Sequence, residues 1–369
     1  MKGKESKRIA LLTTIFSLIL LVVMTASLFA CSKSDSTTNT TTTAPEQTYT
    51  LVFTTHEPST GLYKSDFFQV WIDELEERTN GRVKVEAHYD GELFSPMDAY
   101  DGVMSRAVDM AQIVTAWVPG QFPMADVLSF PSYDKVIYRP SQLLWDLYEE
   151  FPEFQAEFAD VKVLSLAATY YTCAATSSKP IATLEDNQGL KMVTTSMWSS
   201  IRGESLGWTP VSLPPNDVYT NIEKGVVDGG LLGTTYSMID FGWVEPLNYI
   251  TRVPMSSVTI AIIMNRDTWN SLPADIQQII DDMTPWMVEL EDEWRIKRDT
   301  EFLQSFPGDY GMHFVDVSAD ELASWNEADV PVKQMFIDEL EGMGLPGTEL
   351  MAKFLELEEK YSAAAYAYK

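Results

Sequence analysis

From Tyr49 onward the apolar positions follow two periods in turn. Thr50 to Thr54 is a short β-prone run. Between Asp66 and Thr79, Phe67, Phe68, Trp71, Ile72 and Leu75 recur at helical spacing with acidic residues opposite, and Asn80-Gly81 supplies a stop. Val83, Val85, Ala87 and Tyr89 alternate with polar residues, the period of a half-buried strand. Pro96 to Val108 predicts a second helix and Met110 to Val114 a buried strand. This β-α-β-α-β order belongs to a mainly parallel sheet covered by helices.

The alternation resumes further along. Val161 to Ala168 and Leu190 to Thr194 read as strands, and Met197 to Leu206 and Asn216 to Lys224 as helices, the second stopped by Gly225. The run V-T-I-A-I-I-M from Val258 to Met264 is apolar on both faces, as a central strand requires. Pro273 opens a long helical region reaching to about Phe306, which Pro285 should kink or restart. The pattern predicts two α/β lobes, joined by crossing strands and braced by one long helix. No internal repeat is visible.

Before Tyr49 the pattern changes in kind. Met1 to Arg8 carries Lys2, Lys4, Lys7 and Arg8, Ile9 to Met24 is almost wholly apolar, and Leu28-Phe29-Ala30-Cys31 follows. A basic start, an apolar stretch and a small residue before the cut describe an export signal, here residues 1–30. The apolar stretch falls short of the roughly 20 residues of a membrane span. Cys31 stands where lipoprotein processing needs its thiol, so lipidation at Cys31 and an extracytoplasmic, membrane-anchored protein are expected. A plain secreted protein and an uncleaved anchor are the alternatives. Residues 31–48 are a Ser/Thr-rich, low-complexity tether that cannot bury a core.

Composition adds limits. A hydrophobic fraction of 45% and an aromatic fraction of 12% suit a well-packed globule. With Cys31 lipidated, Cys173 is alone and no internal disulfide is expected. The formal charge of −28 opposes binding to nucleic acid and to anionic headgroups, and says little about a ligand held by a few groups inside a cleft.

Catalytic chemistry is hard to find. His56, His88 and His313 are the three histidines, and none is spaced with other ligands as a metal site needs. Gly203 to Gly207 fits G-x-S-x-G, but Ser205 falls near the end of a predicted helix, where a nucleophile elbow needs a strand before and a helix after. The glycines Gly225, Gly229, Gly230 and Gly233 lack the Lys-Ser/Thr of a phosphate loop. No cofactor is expected and an enzyme is not predicted, an esterase built on Ser205 being the remote alternative.

The order of segments resembles a known family. T-N-G-R-V-K-V-E-A-H-Y-D-G-E-L (Thr79 to Leu93), G-V-M-S-R-A-V-D-M-A (Gly102 to Ala111) and G-Q-F-P-M-A-D-V-L-S-F-P (Gly120 to Pro131) are similar to the first lobe of TRAP-type, DctP-like substrate-binding proteins. K-P-I-A-T-L-E-D-N-Q-G-L-K-M (Lys179 to Met192), L-G-W-T-P-V-S-L-P-P-N-D-V-Y (Leu206 to Tyr219) and E-K-G-V-V-D-G (Glu223 to Gly229) resemble the second, and Asn265 to Ile280 the entry to the long helix. The resemblance implies an α/β, two-lobed periplasmic-binding-protein-like fold with hinge strands. Lobe I is expected over 49–170 and 256–300, lobe II over 171–255 and 301–369. It further implies a small-molecule solute, delivery to membrane permease subunits and no chemistry; an isolated monomer is the default expectation. A receptor serving a sensor or chemotaxis system is the alternative.

Three of the family's polar anchors are missing. Val193 stands where many members place an Arg that fixes a ligand carboxylate, Tyr170-Tyr171-Thr172-Cys173 has no Arg, and Gly230-Leu231-Leu232 has no Asn. Arg pairs a carboxylate through two parallel hydrogen bonds, which Val cannot replace. Arg202, on the adjacent helix, is the cation that could restore anion binding. Ligand contacts are expected from His56, Trp117, Tyr170, Tyr171, Thr194, Trp198, Leu232, Thr235 and Tyr236, with Thr195 and Trp243 nearby and Asp228 holding a turn. Aromatic walls with few polar tips suit an aromatic or weakly polar organic acid.

Overall fold

The computed structural model describes residues 47–169, 171–232 and 235–362. The expected signal, Cys31 and Tyr170 lie outside them. The chain begins with β1 (Tyr49–Thr54) and a π-helical turn (Lys64–Phe68) that continues as α1 (Gln69–Arg78). β2 (Val83–His88), α2 (Ala99–Met104) and β3 (Met110–Val114) follow. α2 is shorter than the pattern suggested, because the chain turns away after Ser105 with Arg106 in the left-handed region at φ 60°. α3 (Pro140–Glu150) and α4 (Pro152–Glu157) each open on a proline, whose missing N–H costs nothing at that position. β4 (Val161–Ala168) closes this part.

The second lobe contains β5 (Cys173–Thr176), β6 (Lys191–Val193), α5 (Met197–Leu206), β7 (Thr209–Val211), α6 (Pro215–Glu223), β8 (Gly229–Leu232), α7 (Thr235–Asp240) and β9 (Tyr249–Thr251). The chain then returns to the first as β10 (Thr259–Asn265) and α8 (Arg266–Ser271). α9 (Ala274–Asp309), β11 (His313–Val315), α10 (Ala319–Gly342) and α11 (Gly347–Tyr361) complete it.

Two sheets result, ordered β2-β1-β3-β10-β4 and β11-β9-β5-β8-β6-β7. In the first, β1, β2 and β3 are parallel and β10 runs antiparallel to β3 and β4. Every residue of β10 is buried, which explains its unbroken apolar run. The two crossing segments are zipped together: Thr169 N donates to Val258 O at 2.9 Å, Thr172 N to Ser256 O at 2.8 Å and Met255 N to Thr172 O at 3.0 Å.

α9 spans 36 residues without interruption, about 54 Å at 1.5 Å per residue. Ile276, Ile280, Met283 and Met287 pack beneath the first sheet, Phe306 joins the core of the second, and Phe302 touches both. Pro285 does not restart the helix. It sits on the exposed face, beside exposed Asp281 whose carbonyl loses its intrahelical donor, while buried Met283, Thr284 and Met287 hold the helix against the sheet.

The C-terminal helices divide differently from the expected boundaries. Trp325 of α10 packs with Met192, Leu206 and Trp208 of the second lobe, whereas Val332, Phe336 and Leu340 enter the first lobe's core. α11 buries Leu350, Met351, Phe354 and Leu357 there too. Residues 301–362 divide between the lobes: β11 belongs to the second sheet, α10 bridges the lobes and α11 covers the first.

Candidate ligand-binding site

A cavity of about 410 Å³ opens between the two sheets. The first lobe supplies His56 and Glu57 from the loop after β1, Val114 and Trp117 from the end of β3, and Val258 and Ile260 from β10. The second supplies Val193, Thr194 and Thr195 after β6, Met197 and Ser200 of α5, Leu231 and Leu232 of β8, and Tyr236, Phe241 and Trp243 around α7. Among the described residues lining it there is no Lys or Arg.

The post-β1 loop is fixed by its own hydrogen bonds. Thr55 Oγ1 donates to Gln112 Oε1 at 2.5 Å and accepts from Glu57 N at 3.2 Å, and Asp90 N donates to Glu57 O at 2.9 Å. The His56 ring meets Trp117 edge to face at 5.2 Å, with Nε2 3.9 Å from Glu57 Oε1. Burial pulls the His56 pKa down to about 4 and pushes the Glu57 pKa up to about 8, the latter opposed by the nearby Arg295 guanidinium. Burial thus favours the uncharged form of both groups at neutral pH.

The opposite wall follows from the turn into α5. Ser196 caps that helix by accepting from Ser199 N at 3.0 Å, and Ser199 Oγ reciprocates by accepting from Ser196 N at 2.9 Å. The box turns Met197 and Ser200 toward the cavity and holds Thr194 Oγ1 2.7 Å from Ser200 Oγ. Trp117 Nε1 reaches across from the first lobe and donates to Thr195 O at 3.0 Å. Trp243 stacks on Phe241 at 5.0 Å and 15°.

Behind Tyr236 lies a buried polar cluster. Arg295 is fully buried and donates from Nε to Glu291 Oε1 at 2.7 Å, from Nη1 to Tyr236 OH at 3.1 Å and from Nη2 to Tyr63 OH at 3.2 Å. Tyr63 OH donates to Glu291 Oε1 at 2.6 Å.

Of the residues expected at the site, His56, Trp117, Thr194, Leu232 and Tyr236 line the cavity, as do Thr195 and Trp243. Thr235 opens α7. Trp198 and Tyr171 do not line it. Trp198 sits about 100° around the helix from Met197 and packs against Phe130 and Phe336, at 5.6 and 5.3 Å, in the first lobe's core. Tyr171 turns into the same core, its hydroxyl accepting from Ile137 N at 2.6 Å, while Thr169 and Thr172 on either side face the cavity. Arg202 is no substitute anion anchor: it is buried against Asp329, with Nε and Nη2 donating at 2.7 and 2.9 Å. Asp228 holds the β6 turn by accepting from Lys191 N at 2.8 Å. Ser205 lies in the last turn of α5 with Oγ donating to Arg202 O at 2.7 Å, so no nucleophile elbow exists there. Sequence reasoning overlooked Glu57 and the Arg295 cluster; the only local signals were the acidic neighbour of His56 and the i,i+4 spacing of Glu291 and Arg295.

Two sheets with zipped crossing segments, and a cavity between them fed by loops from both, define a two-lobed solute-binding receptor. The chain belongs to the bacterial extracellular solute-binding protein family 7, whose family model matches residues 54–339. It is 24% identical over 273 residues to the C4-dicarboxylate-binding periplasmic protein DctP of Rhodobacter capsulatus, covering 71% of this chain and 79% of that one. In fold it resembles a marine metagenome TRAP solute-binding protein specific for aromatic acid ligands, solved with 3-hydroxybenzoate (TM-score 0.77, 23% identity, 85% of this chain and 99% of that one). A TRAP solute-binding protein of Rhodoferax ferrireducens with copurified benzoate is similar too (TM-score 0.75, 21% identity, 85% and 98%). The protein is therefore an extracytoplasmic TRAP-type receptor that works with membrane permease subunits and is not an enzyme.

Proposed function

We propose that this receptor captures a compact aromatic or weakly polar organic solute, aromatic acids among the candidates, and delivers it to the permease by lobe closure. One observation carries the reading: a cavity of about 410 Å³ walled by His56, Trp117, Tyr236, Phe241 and Trp243, with Val193 where a carboxylate-binding Arg is expected and no Lys or Arg on its lining. Such walls bury flat rings well, and a small highly charged solute would lose its water there with no cation in exchange. Solved relatives in complex with benzoate and 3-hydroxybenzoate support the aromatic class. His56, Trp117, Thr194, Leu232 and Tyr236 are the proposed contacts. Ligand touching both lobes favours the closed state over the open one.

The test is a thermal-shift screen of aliphatic dicarboxylates, aromatic acids and neutral aromatics, since a solute that binds the folded state raises the melting temperature. A dominant shift with an aliphatic dicarboxylate would overturn the aromatic reading. The Leu28-Phe29-Ala30-Cys31 segment supports lipidation at Cys31. Cys31→Ser should then abolish labelling by a palmitate analogue and release the protein from membranes.

A further inference from the structure

Among the described residues lining the cavity one side chain is acidic, and one of its oxygens is left without a hydrogen bond although the Gln112 side chain stands beside the carboxyl. Glu57 is 3% exposed and its Oε2 has no hydrogen-bond partner, and the same is true of Thr195 Oγ1 on the opposite lobe and of Gln112 Nε2 beside the loop. A buried polar atom left in this condition is costly unless something else completes it. The nearest cation does not. All three nitrogens of Arg295 are taken by Glu291, Tyr236 and Tyr63. The other groups facing Glu57 are His56 from its own loop, Gln112 from β3, Tyr236 and Asp240 from α7, and Glu291 from α9.

We propose that Glu57 is the group that reads the ligand: an aromatic solute lying between the aromatic walls presents an O–H or N–H donor to Glu57 Oε2, so the receptor prefers aromatic alcohols and amines to aromatic carboxylates. The proposal rests on the aromatic reading above and narrows it. A carboxylate placed against Glu57 gains at most one hydrogen bond from its protonated form and no fixed cation to balance its charge, and a donor-free ring leaves Oε2 unpaired. With Glu57 raised to about 8 and His56 lowered to about 4, burial favours the uncharged forms of both at neutral pH, which suits an uncharged donor. A bound ammonium stabilises the carboxylate form instead and expels its proton.

The test is calorimetric titration of the full-length protein at pH 7 with benzyl alcohol, benzylamine, toluene and benzoate, one ring body with four ends. Benzyl alcohol and benzylamine should bind roughly ten- to a hundredfold more tightly than toluene, and benzoate should rank below both. Glu57→Leu should erase the preference while toluene still binds. Glu57→Gln should keep benzyl alcohol binding and lose the advantage of benzylamine, because a neutral amide cannot balance an ammonium. If Glu57→Leu fails to fold by its melting curve, Glu57→Gln carries the test alone. Aromatic binding led by benzoate, or an alcohol preference that survives Glu57→Leu, overturns this proposal only. Failure of all four to bind overturns the aromatic reading and this proposal with it.

Discussion

Arg202 and Asp329 illustrate how a buried charge is kept at low cost. The guanidinium pairs with both carboxylate oxygens, also donates to the carbonyls of Ser129, Met255 and Pro131, and lies over the Tyr133 ring at 4.7 Å. Arg202→Ala would leave fully buried Asp329 with the Lys333 ammonium at 3.5 Å as its remaining cation, and should destabilise the protein by about 3–5 kcal/mol in chemical denaturation. The double variant with Asp329→Asn should recover part of that loss, and additive effects would mean that the pair does not act as one unit. A second residue-scale prediction concerns pH. Burial raises Glu157 to about 8, although its carboxylate accepts from Met124 N at 2.7 Å. A carboxyl raised above its unfolded value binds more protons in the native state, so its contribution falls as pH rises from about 4.5 toward 8. Asp126, raised to about 7 by burial, adds to the same slope. The melting temperature should therefore drop between pH 5.5 and 8.5, and Glu157→Gln should flatten that drop; an unchanged slope would show that Glu157 titrates normally.

At the scale of elements, the strand and helix pattern was readable wherever one face is buried. α5 and the start of α9 carry their burial in their period and β10 in its unbroken apolar run, and the residues after β1, β3 and β6 line a cleft because strand ends converge there. Direction around a helix was not readable. Trp198 and Met197 are neighbours in the chain, yet only the serine capping box decides which of them meets the cavity. Glu57 was missed because its protonation depends on burial by α7 and α9, far away in sequence. Two predictions belong here. Trp117→Phe keeps the wall and removes the donor to Thr195 O, the contact that links the lobes beside the ligand. Ligand affinity should fall about threefold to tenfold in calorimetry while the free protein melts unchanged, as expected for the loss of one net hydrogen bond of about 1 kcal/mol. Pro285→Ala restores an N–H to the middle of α9 on an exposed face, and should raise stability by up to about 3 kcal/mol. A loss of stability would mean that the proline relieves a bend the helix needs.

For the whole molecule, the question is what lets two lobes close without coming apart. The two crossing segments are hydrogen-bonded to each other, and Ser257 N also donates to Leu128 O of the first lobe at 3.1 Å. Bracing comes from helices that belong to neither lobe alone: α9 places Ile280 and Met287 in one core and Phe306 in another, and α10 places Trp325 and Phe336 likewise. For the closure proposed above, the crossing segments would serve as the axis and both helices as struts. α11 is what seats α10. Its Leu350, Phe354 and Leu357 fill the first lobe's core, and the Glu358 carboxylate accepts from Ser132 N at 2.7 Å and from Ser132 Oγ at 2.5 Å. A chain ending at residue 346 would expose that apolar face and remove the helix against which α10 packs. Such a chain should lose cooperative thermal unfolding and self-associate in size-exclusion chromatography, with the milder Phe354→Ala costing about 3–5 kcal/mol. If the shortened chain instead stays monomeric and melts within a few degrees of the full protein, α11 is a cover rather than a strut. The resistance to lobe separation would then rest on α9 alone.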